Sequence, residues 1–324
     1  MVRLAKNDKI ALMISAVIPV FNEQESLGKF YPRLLSALKK LDEAYEIIFV
    51  DDGSTDSTLS ILKKIAAKDK NVRIFSFRIN QGKAEALTLG FQKSKGELVV
   101  TLDADLQDQP EEISKLLKKL DNGWDCVSGW RKNRKDSLGK LVFSKLFNLL
   151  ASTFWRTNLH DYNCGLKVYT SDAAKSLSLY GGRHRFIPLL LHEQGFKVTE
   201  IPVIHDKRKF GKSKYGISKV FKDLPDIFTM LFLSKYAKRP LHFFGSLGGF
   251  MLFLGTLISL YLTILWFQGE SIGRRPLLLL GILLIVTGFQ TFFTGFLADL
   301  IIHLSEKNRA NGSTDKKYSI KYES

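Results

Sequence analysis

The sequence predicts an α/β protein: a domain built on a mostly parallel sheet, followed by interfacial helices and a two-helix transmembrane hairpin. Three observations carry this. Short apolar strands alternate with amphipathic helices from Ile14 to Arg131. An acidic stretch, Asp103-Ala104-Asp105-Leu106-Gln107-Asp108, falls where one of those strands ends. Two apolar runs, Leu241 to Phe267 and Leu277 to Leu304, each exceed the about 20 residues that cross a hydrocarbon core.

Ile14 to Pro19 is apolar enough to be a strand buried on both faces. After the loop Val20 to Glu23, Leu27, Tyr31, Leu34, Leu38 and Leu41 recur at helical spacing, which predicts a helix over Glu25 to Leu41. Tyr45 to Val50 is the second strand, ending in Asp51-Asp52-Gly53-Ser54-Thr55-Asp56, rich in turn and cap residues. A helix follows to about Lys68, then a third strand, Val72 to Phe77, the loop Asn80 to Lys83 and a helix from Ala84 to Lys93. Glu97 to Leu102 is the fourth strand and leads into the acidic stretch. Pro110-Glu111-Glu112 then reads as a helix start, with proline in the first turn and acids near the positive end of the dipole. Asp125 to Gly129 is a fifth strand, ending at Trp130-Arg131.

Alternation this regular implies parallel strands with crossover helices. It places Pro19–Glu23, Asp51–Asp52, Gly82–Lys83 and Asp103–Gln107 along one sheet edge, where open α/β sheets bind ligands. No G-x-G-x-x-G follows the first strand and no G-x-x-x-x-G-K-[ST] occurs, which argues against a dinucleotide-dependent dehydrogenase and a P-loop NTPase. Clustered carboxylates repel one another, and a hard divalent cation relieves that repulsion.

Beyond Arg131 the pattern loosens. Leu138 to Phe154 has helical spacing, Leu166 to Tyr169 is a short strand, and Arg183-His184-Arg185-Phe186 opens another helix. Val198 to Val203 is a strand whose Pro202 points to a sheet edge. A basic loop follows, His205 to Lys214. His160, His184 and His205 read as surface or satisfied histidines, Asp56 as a helix cap, and Asp108 as a capping acid beside Pro110. The polar tail from Asn308 reads as disordered.

Charge separates the function classes. The net charge of the 324 residues is +16, which calls for an anionic partner. Arg183 to Arg239 holds 13 Lys/Arg against 5 Asp/Glu, so half of the excess lies just before the apolar runs. Basic residues beside an anionic bilayer contribute roughly 1 kcal/mol each. That placement, with no nucleic-acid recognition motif, disfavours the rival reading of a membrane-anchored nucleic-acid-binding protein. Val220 to Tyr236 mixes Phe221, Leu224, Phe228 and Leu231 with flanking lysines, as a helix lying in the membrane interface does. Two cysteines, Cys126 and Cys164, are too few for a disulfide framework and fit a reduced compartment. The N-terminal residues show no secretory pattern.

The linker Gln268 to Pro276 is short, so the two apolar runs form a hairpin with both ends on one side. Lys235, Lys238 and Arg239 before it and Lys307 to Lys321 after it place that side in the cytoplasm, against Arg274 and Arg275 in the turn. The expected division is 1–216, 217–239, 240–305 and 306–324, for an inner-membrane protein spanning twice. Two spans make an anchor, not a conduit, which disfavours a processive polysaccharide synthase. Gly245, Gly248 and Gly249 suit close helix packing. Asp299 is an acid near the end of the second span. A hairpin with an amphipathic collar also has surfaces that a homo-oligomer would bury.

Four segments together resemble the membrane-associated polyprenyl-phosphate glycosyltransferases, the family-2, GT-A-fold group that includes dolichol-phosphate mannose synthases and undecaprenyl-phosphate sugar transferases. They are Ile18-Pro19-Val20-Phe21-Asn22-Glu23, Val50-Asp51-Asp52-Gly53-Ser54, Asp103 to Asp108, and Arg208 to Lys214 with Gly211-x-Ser213-Lys214. The resemblance implies that Pro19, Phe21, Glu23, Val50 and Asp52 hold the nucleoside and that Asp103 and Ala104 contact ribose and phosphate. It implies Asp105 and Gln107, with Asp103, as ligands of Mg²⁺ or Mn²⁺ on the diphosphate. Lys83, Arg131, Arg208 and Lys214 would face the donor's phosphates. Asp161 would be an acid near the acceptor, a base or a positioning group. Arg183, Arg185 and Lys214 are expected against the lipid phosphate. The implied reaction moves a hexose, with inversion, from a nucleotide-sugar to undecaprenyl or dolichyl phosphate, UDP-glucose being the expected donor and GDP-mannose the alternative. In related two-span members a Gly-Glu-Tyr ends the second span; here Ala298-Asp299-Leu300 keeps only the acid.

Overall fold

The computed structural model describes residues 12–132, 159–206, 236, 239–273, 275–310 and 320–323. The expected helix at Leu138–Phe154, the basic loop beyond Asp206 and nearly all of the interfacial segment lie outside these residues. The chain divides into two units, Met1–Asp226 with Tyr318–Ser324, and Ile227–Lys317.

The first unit is an α/β sheet domain. In order it contains β1 (Met13–Val20), α1 (Leu27–Lys39), β2 (Ala44–Asp51), α2 (Thr58–Ala66), β3 (Val72–Phe77), α3 (Lys83–Lys93) and β4 (Leu98–Thr101). A 3₁₀ turn at Pro110–Glu112 leads into α4 (Ile113–Leu120), followed by β5 (Cys126–Trp130), β6 (Lys167–Thr170) and α5 (Ser171–Ser176). A second 3₁₀ segment, Gly181–Phe186, precedes α6 (Ile187–Glu193) and β7 (Val198–Pro202), and β8 (Ile320–Glu323) comes last. The sheet order is β7-β5-β6-β4-β1-β2-β3-β8. Pro202 ends an edge strand, as its missing N–H requires.

β1 to β4 pair in parallel, with Val17 opposite Thr101 and Val20 opposite Asp51. These strands are apolar because helices cover both faces. Ile14, Ile18, Phe30, Leu34 and Phe49 pack one side, and Val17, Ile48, Val50, Phe75 and Phe91 the other. Two strands depart from simple alternation. β6 runs antiparallel between β4 and β5, so the fifth strand does not neighbour the fourth. β8 runs antiparallel to β3. This corrects the expectation of a structureless tail at Ile320–Glu323: the Tyr322 ring packs on the core and carries the Lys63 ammonium 4.1 Å from its centre.

The second unit holds α7 (Pro240–Phe267) and α8 (Pro276–Ala310); α7 and the Pro276–Leu304 part of α8 are each long and apolar enough to cross a membrane. They pack along each other through glycines. A Cβ on Gly248 would sit 2.6 Å from the Gly288 carbonyl oxygen, so only glycine permits this approach. Gly249 meets nothing within 4 Å and Gly245 only ordinary contacts, so of the three expected packing glycines Gly248 is the one at the crossing.

Candidate active site

β1, β2 and β4 end side by side, and their C-terminal edge is where the acidic stretch emerges. Exposure alternates along it: Asp103, Asp105 and Gln107 are half-exposed, whereas Ala104, Leu106 and Asp108 are buried. Ala104 and Leu106 anchor the loop in the core. Leu106 adopts a left-handed φ of 63°, a strained conformation for leucine that its burial holds in place. The sequence therefore turns polar groups outward by pinning the apolar ones between them.

Lys83, the first residue of α3, forms an ion pair with Asp103. Burial alone would raise the Asp103 carboxyl, but the Lys83 ammonium, with Lys167 beyond it, holds it below the usual carboxylate range. Lys167 is buried on β6 and its ammonium meets the Cys164 carbonyl; burial pulls its pKa down. His184 lies between two arginines, yet its Nδ1 is buried without a hydrogen-bond partner among the described residues. Burial, then Lys83 and Arg185, push its pKa down to about 3, so it is neutral. Lys83, Asp103, Lys167 and His184 line one small pocket with Pro19 and Asn163. Burial pushes the Cys126 and Cys164 thiols up to about 12, which makes both unreactive.

A second ion pair joins the end of β5 to the following loop. Arg131 Nε and a terminal guanidinium nitrogen lie 2.6 and 2.8 Å from the two oxygens of Asp161. The two side chains are 10% and 5% exposed, so the pair is nearly dry, and it holds Arg131 firmly protonated. Beside it Trp130 stacks on His160 at 4.3 Å, and His160 pairs with Glu200.

The remaining expected residues divide. Phe21 and Glu23 sit at the edge, half-buried. The Val50 side chain is fully buried in the core, so only its backbone can meet a ligand. Asp52 accepts from the Gln81 and Gly82 amides at 2.7 and 3.0 Å and from the Asn80 side chain at 2.8 Å, so it shapes the loop before α3. Burial raises its pKa against those backbone bonds. Asp56 accepts from the Thr58 amide, the first of α2, at 2.9 Å; the N-cap itself is Ser57, whose side chain makes no capping bond. Asp108 is not a cap: it is 3% exposed and bound by His205 at 3.1 Å. Arg183 lies 4.1 Å over the Tyr180 ring, and Arg185 is half-buried in the same 3₁₀ segment. Arg208 and Lys214 lie outside the described residues.

The oxygen donors fit a hard divalent cation that arrives with phosphate oxygens. Among the described residues no three acids, histidines or cysteines gather into a self-sufficient cage. Lys83 occupies part of Asp103. Asp105 and Gln107 are half-exposed beside it, and the hydrogen bonds of the Gln107 amide use its nitrogen. One or two carboxylates completed by substrate phosphates is the usual arrangement for Mg²⁺.

Sequence reasoning missed Lys167, the role of His184, and the bonding of Asp108 to His205. A lysine inside the apolar strand Leu166 to Tyr169 is the one signal that could have marked the first.

The model of glycosyl transferase family 2 matches residues 15–178. A dodecaprenyl-phosphate galacturonate synthase of Rhizobium johnstonii is 38% identical over 91% of this chain and 89% of its own length. An undecaprenyl-phosphate 4-deoxy-4-formamido-L-arabinose transferase of Yersinia pestis is 35% identical over 92% and 90%. Among solved structures, glucosyl-3-phosphoglycerate synthase of Mycobacterium tuberculosis, in complex with Mn²⁺ and UDP-glucose, superposes with a TM-score of 0.52 at 20% identity, covering 70% of this chain and 80% of that one. At that identity the likeness speaks for the fold.

Proposed function

Because the chain belongs to glycosyl transferase family 2, an enzyme family, we propose that it transfers a sugar from a nucleotide-sugar to a polyprenyl phosphate. The observation that carries this is the pairing of outward acids after β4 with an apolar helical hairpin in one chain, along which relatives bearing that activity in their names align over nine-tenths of its length. On this reading the hairpin anchors the chain in the inner membrane with the α/β unit on the cytoplasmic side, which the basic residues flanking the spans support.

A divalent cation, Mg²⁺ or Mn²⁺, supplies charge neutralisation for the departing nucleoside diphosphate. Asp105 and Gln107 hold it, and Asp103 and Lys83 order the donor beside it. Phe21, Glu23 and Pro19 receive the nucleoside. Arg131 stabilises phosphate charge, and Asp161 keeps its guanidinium in place. The basic loop with Arg208 and Lys214, helped by Arg183 and Arg185, receives the lipid phosphate. A phosphate monoester has a second pKa of about 6, so the acceptor is largely ionised at neutral pH and needs little base assistance. One in-line displacement inverts the anomeric centre.

The donor is a UDP-sugar. UDP-glucose is the first expectation from sequence, whereas the names of the two relatives carry galacturonate and 4-deoxy-4-formamido-L-arabinose. The test incubates purified full-length protein in detergent with undecaprenyl phosphate, Mn²⁺ or Mg²⁺, and labelled UDP-glucose, UDP-galacturonate, UDP-formamidoarabinose or GDP-mannose. A lipid-linked monosaccharide from one UDP-sugar supports the reading. Product from GDP-mannose alone overturns the donor, and a long polymer overturns the reaction.

A further inference from the structure

The acidic stretch is bonded to the segment that leads into the basic loop. Asp108 and His205 form an antiparallel bridge, and the Asp206 amide donates to the Gln107 carbonyl at 2.9 Å. His205 Nδ1 lies 3.1 Å from Asp108 Oδ1. His205 Nε2 lies 3.4 Å from the Gln107 side-chain nitrogen, which also donates to the Asp206 carbonyl at 3.4 Å. The Asp108 side chain is 3% exposed and that of His205 18%, so water does not substitute freely for these bonds.

The chemistry of each atom fixes the arrangement. An ionised carboxylate only accepts, so His205 Nδ1 carries the proton. An amide nitrogen only donates, so His205 Nε2 is the bare acceptor. Both demands are met by one neutral tautomer. Gln107 then turns its nitrogen to His205 and Asp206, and neither bond uses Oε1, the amide atom that can bind a cation.

We propose that His205 is a positioning residue for the cation site. Held by Asp108, it fixes the Gln107 amide so that the oxygen is presented to the cation. It joins that orientation to the chain entering the Arg208–Lys214 loop. This rests on Asp105 and Gln107 being cation ligands. Partners that orient metal ligands are typically worth 10–100-fold in metal affinity.

The test is Mn²⁺ binding by full-length protein in detergent with saturating UDP, followed by electron paramagnetic resonance. His205→Ala is expected to bind Mn²⁺ about 10–100-fold more weakly. His205→Asn keeps a donor for Asp108 but does not reach Gln107, so it is expected to keep the wild-type melting temperature and still lose Mn²⁺ affinity. It carries the test should the alanine variant not fold. Both variants binding Mn²⁺ within twofold of wild type overturns the role of His205 alone. Wild-type protein that takes up no Mn²⁺ with UDP overturns the cation-site reading, and the proposal with it.

Discussion

Arg131 grips both carboxylate oxygens of Asp161, at 2.6 and 2.8 Å, in a nearly solvent-free pair. A carboxylate held this way is a weak base, because protonating it would break two charge-assisted bonds. An essential general base is worth roughly 10²–10⁴ in rate. Asp161→Asn is therefore expected to cost less than about 100-fold in transfer rate, and Asp105→Ala to abolish nearly all of it. Rates of the two variants under saturating substrates check the ranking, and equal losses would refute it.

The same pair makes a stability prediction. Arg131→Ala strands a buried carboxylate, a change that typically costs 3–5 kcal/mol. Asp161→Asn with Arg131→Met removes both charges and is expected to unfold nearer the wild-type temperature than Arg131→Ala does. Thermal unfolding of the three variants in detergent measures this. Recovery in the double variant would show that the single change acts through the unpaired charge.

His184 gives the fold a pH dependence. Its pKa is about 3 in the folded chain, against an ordinary 6.5. A depressed histidine binds its proton in the unfolded chain first, so its contribution is fully present above about pH 6.5 and is lost as pH falls toward 3. At pH 5 the loss is about 2 kcal/mol. Melting temperatures from pH 7.5 to 5 should fall more steeply for the wild type than for His184→Gln, and parallel curves would exclude this residue as the cause.

Much of this was legible in the sequence, and the reasons for the rest are physical. β1 was expected at Ile14–Pro19 and spans Met13–Val20, because a strand buried on both faces is an unbroken apolar run. Periodicity locates a strand but not its neighbour, so the antiparallel insertion of β6 between β4 and β5 left no trace. The outward alternation of Asp103, Asp105 and Gln107 could be read from the apolar residues between them. The bond from Asp108 to His205 could not, since it joins positions 97 apart that lack any shared pattern. Val50 illustrates the opposite limit: a residue can belong to a motif and still send its side chain into the core.

β8 predicts a dependence of stability on the last few residues. It covers the β3 edge, whose free N–H and C=O groups would otherwise template association. Glu323 pairs with Lys93 at 3.1 Å, an exposed bond of little weight, so the Tyr322 ring carries most of the attachment. Tyr322→Ser is expected to lower the melting temperature by several degrees and to raise aggregation on heating, whereas Glu323→Gln should do neither. Calorimetry with light scattering separates the two, and a harmless Tyr322→Ser would mean that β8 adds nothing.

Gly165 sits against the acidic stretch from behind. A Cβ there would lie 2.5 Å from Asp108 Oδ2 and 2.8 Å from Asp103 Oδ2. Both are closer than a methyl and a carboxylate can approach, so Gly165→Ala must displace one or both acids. Asp108 is hydrogen-bonded to His205 and Asp103 is ion-paired with Lys83, so neither can swing aside without breaking that contact. The strain thus falls on the loop that carries Asp105 and Gln107, while β4 and β6 remain paired through Leu98–Thr101. Gly165→Ala is expected to weaken binding of UDP with Mn²⁺ by tenfold or more, on the scale of lost ligand positioning, with a smaller effect on the melting temperature. Titration calorimetry of UDP with and without Mn²⁺ reads it. An unchanged Mn²⁺-dependent affinity would show that the acidic stretch has room to move, and that its geometry is not set by the close approach of Gly165.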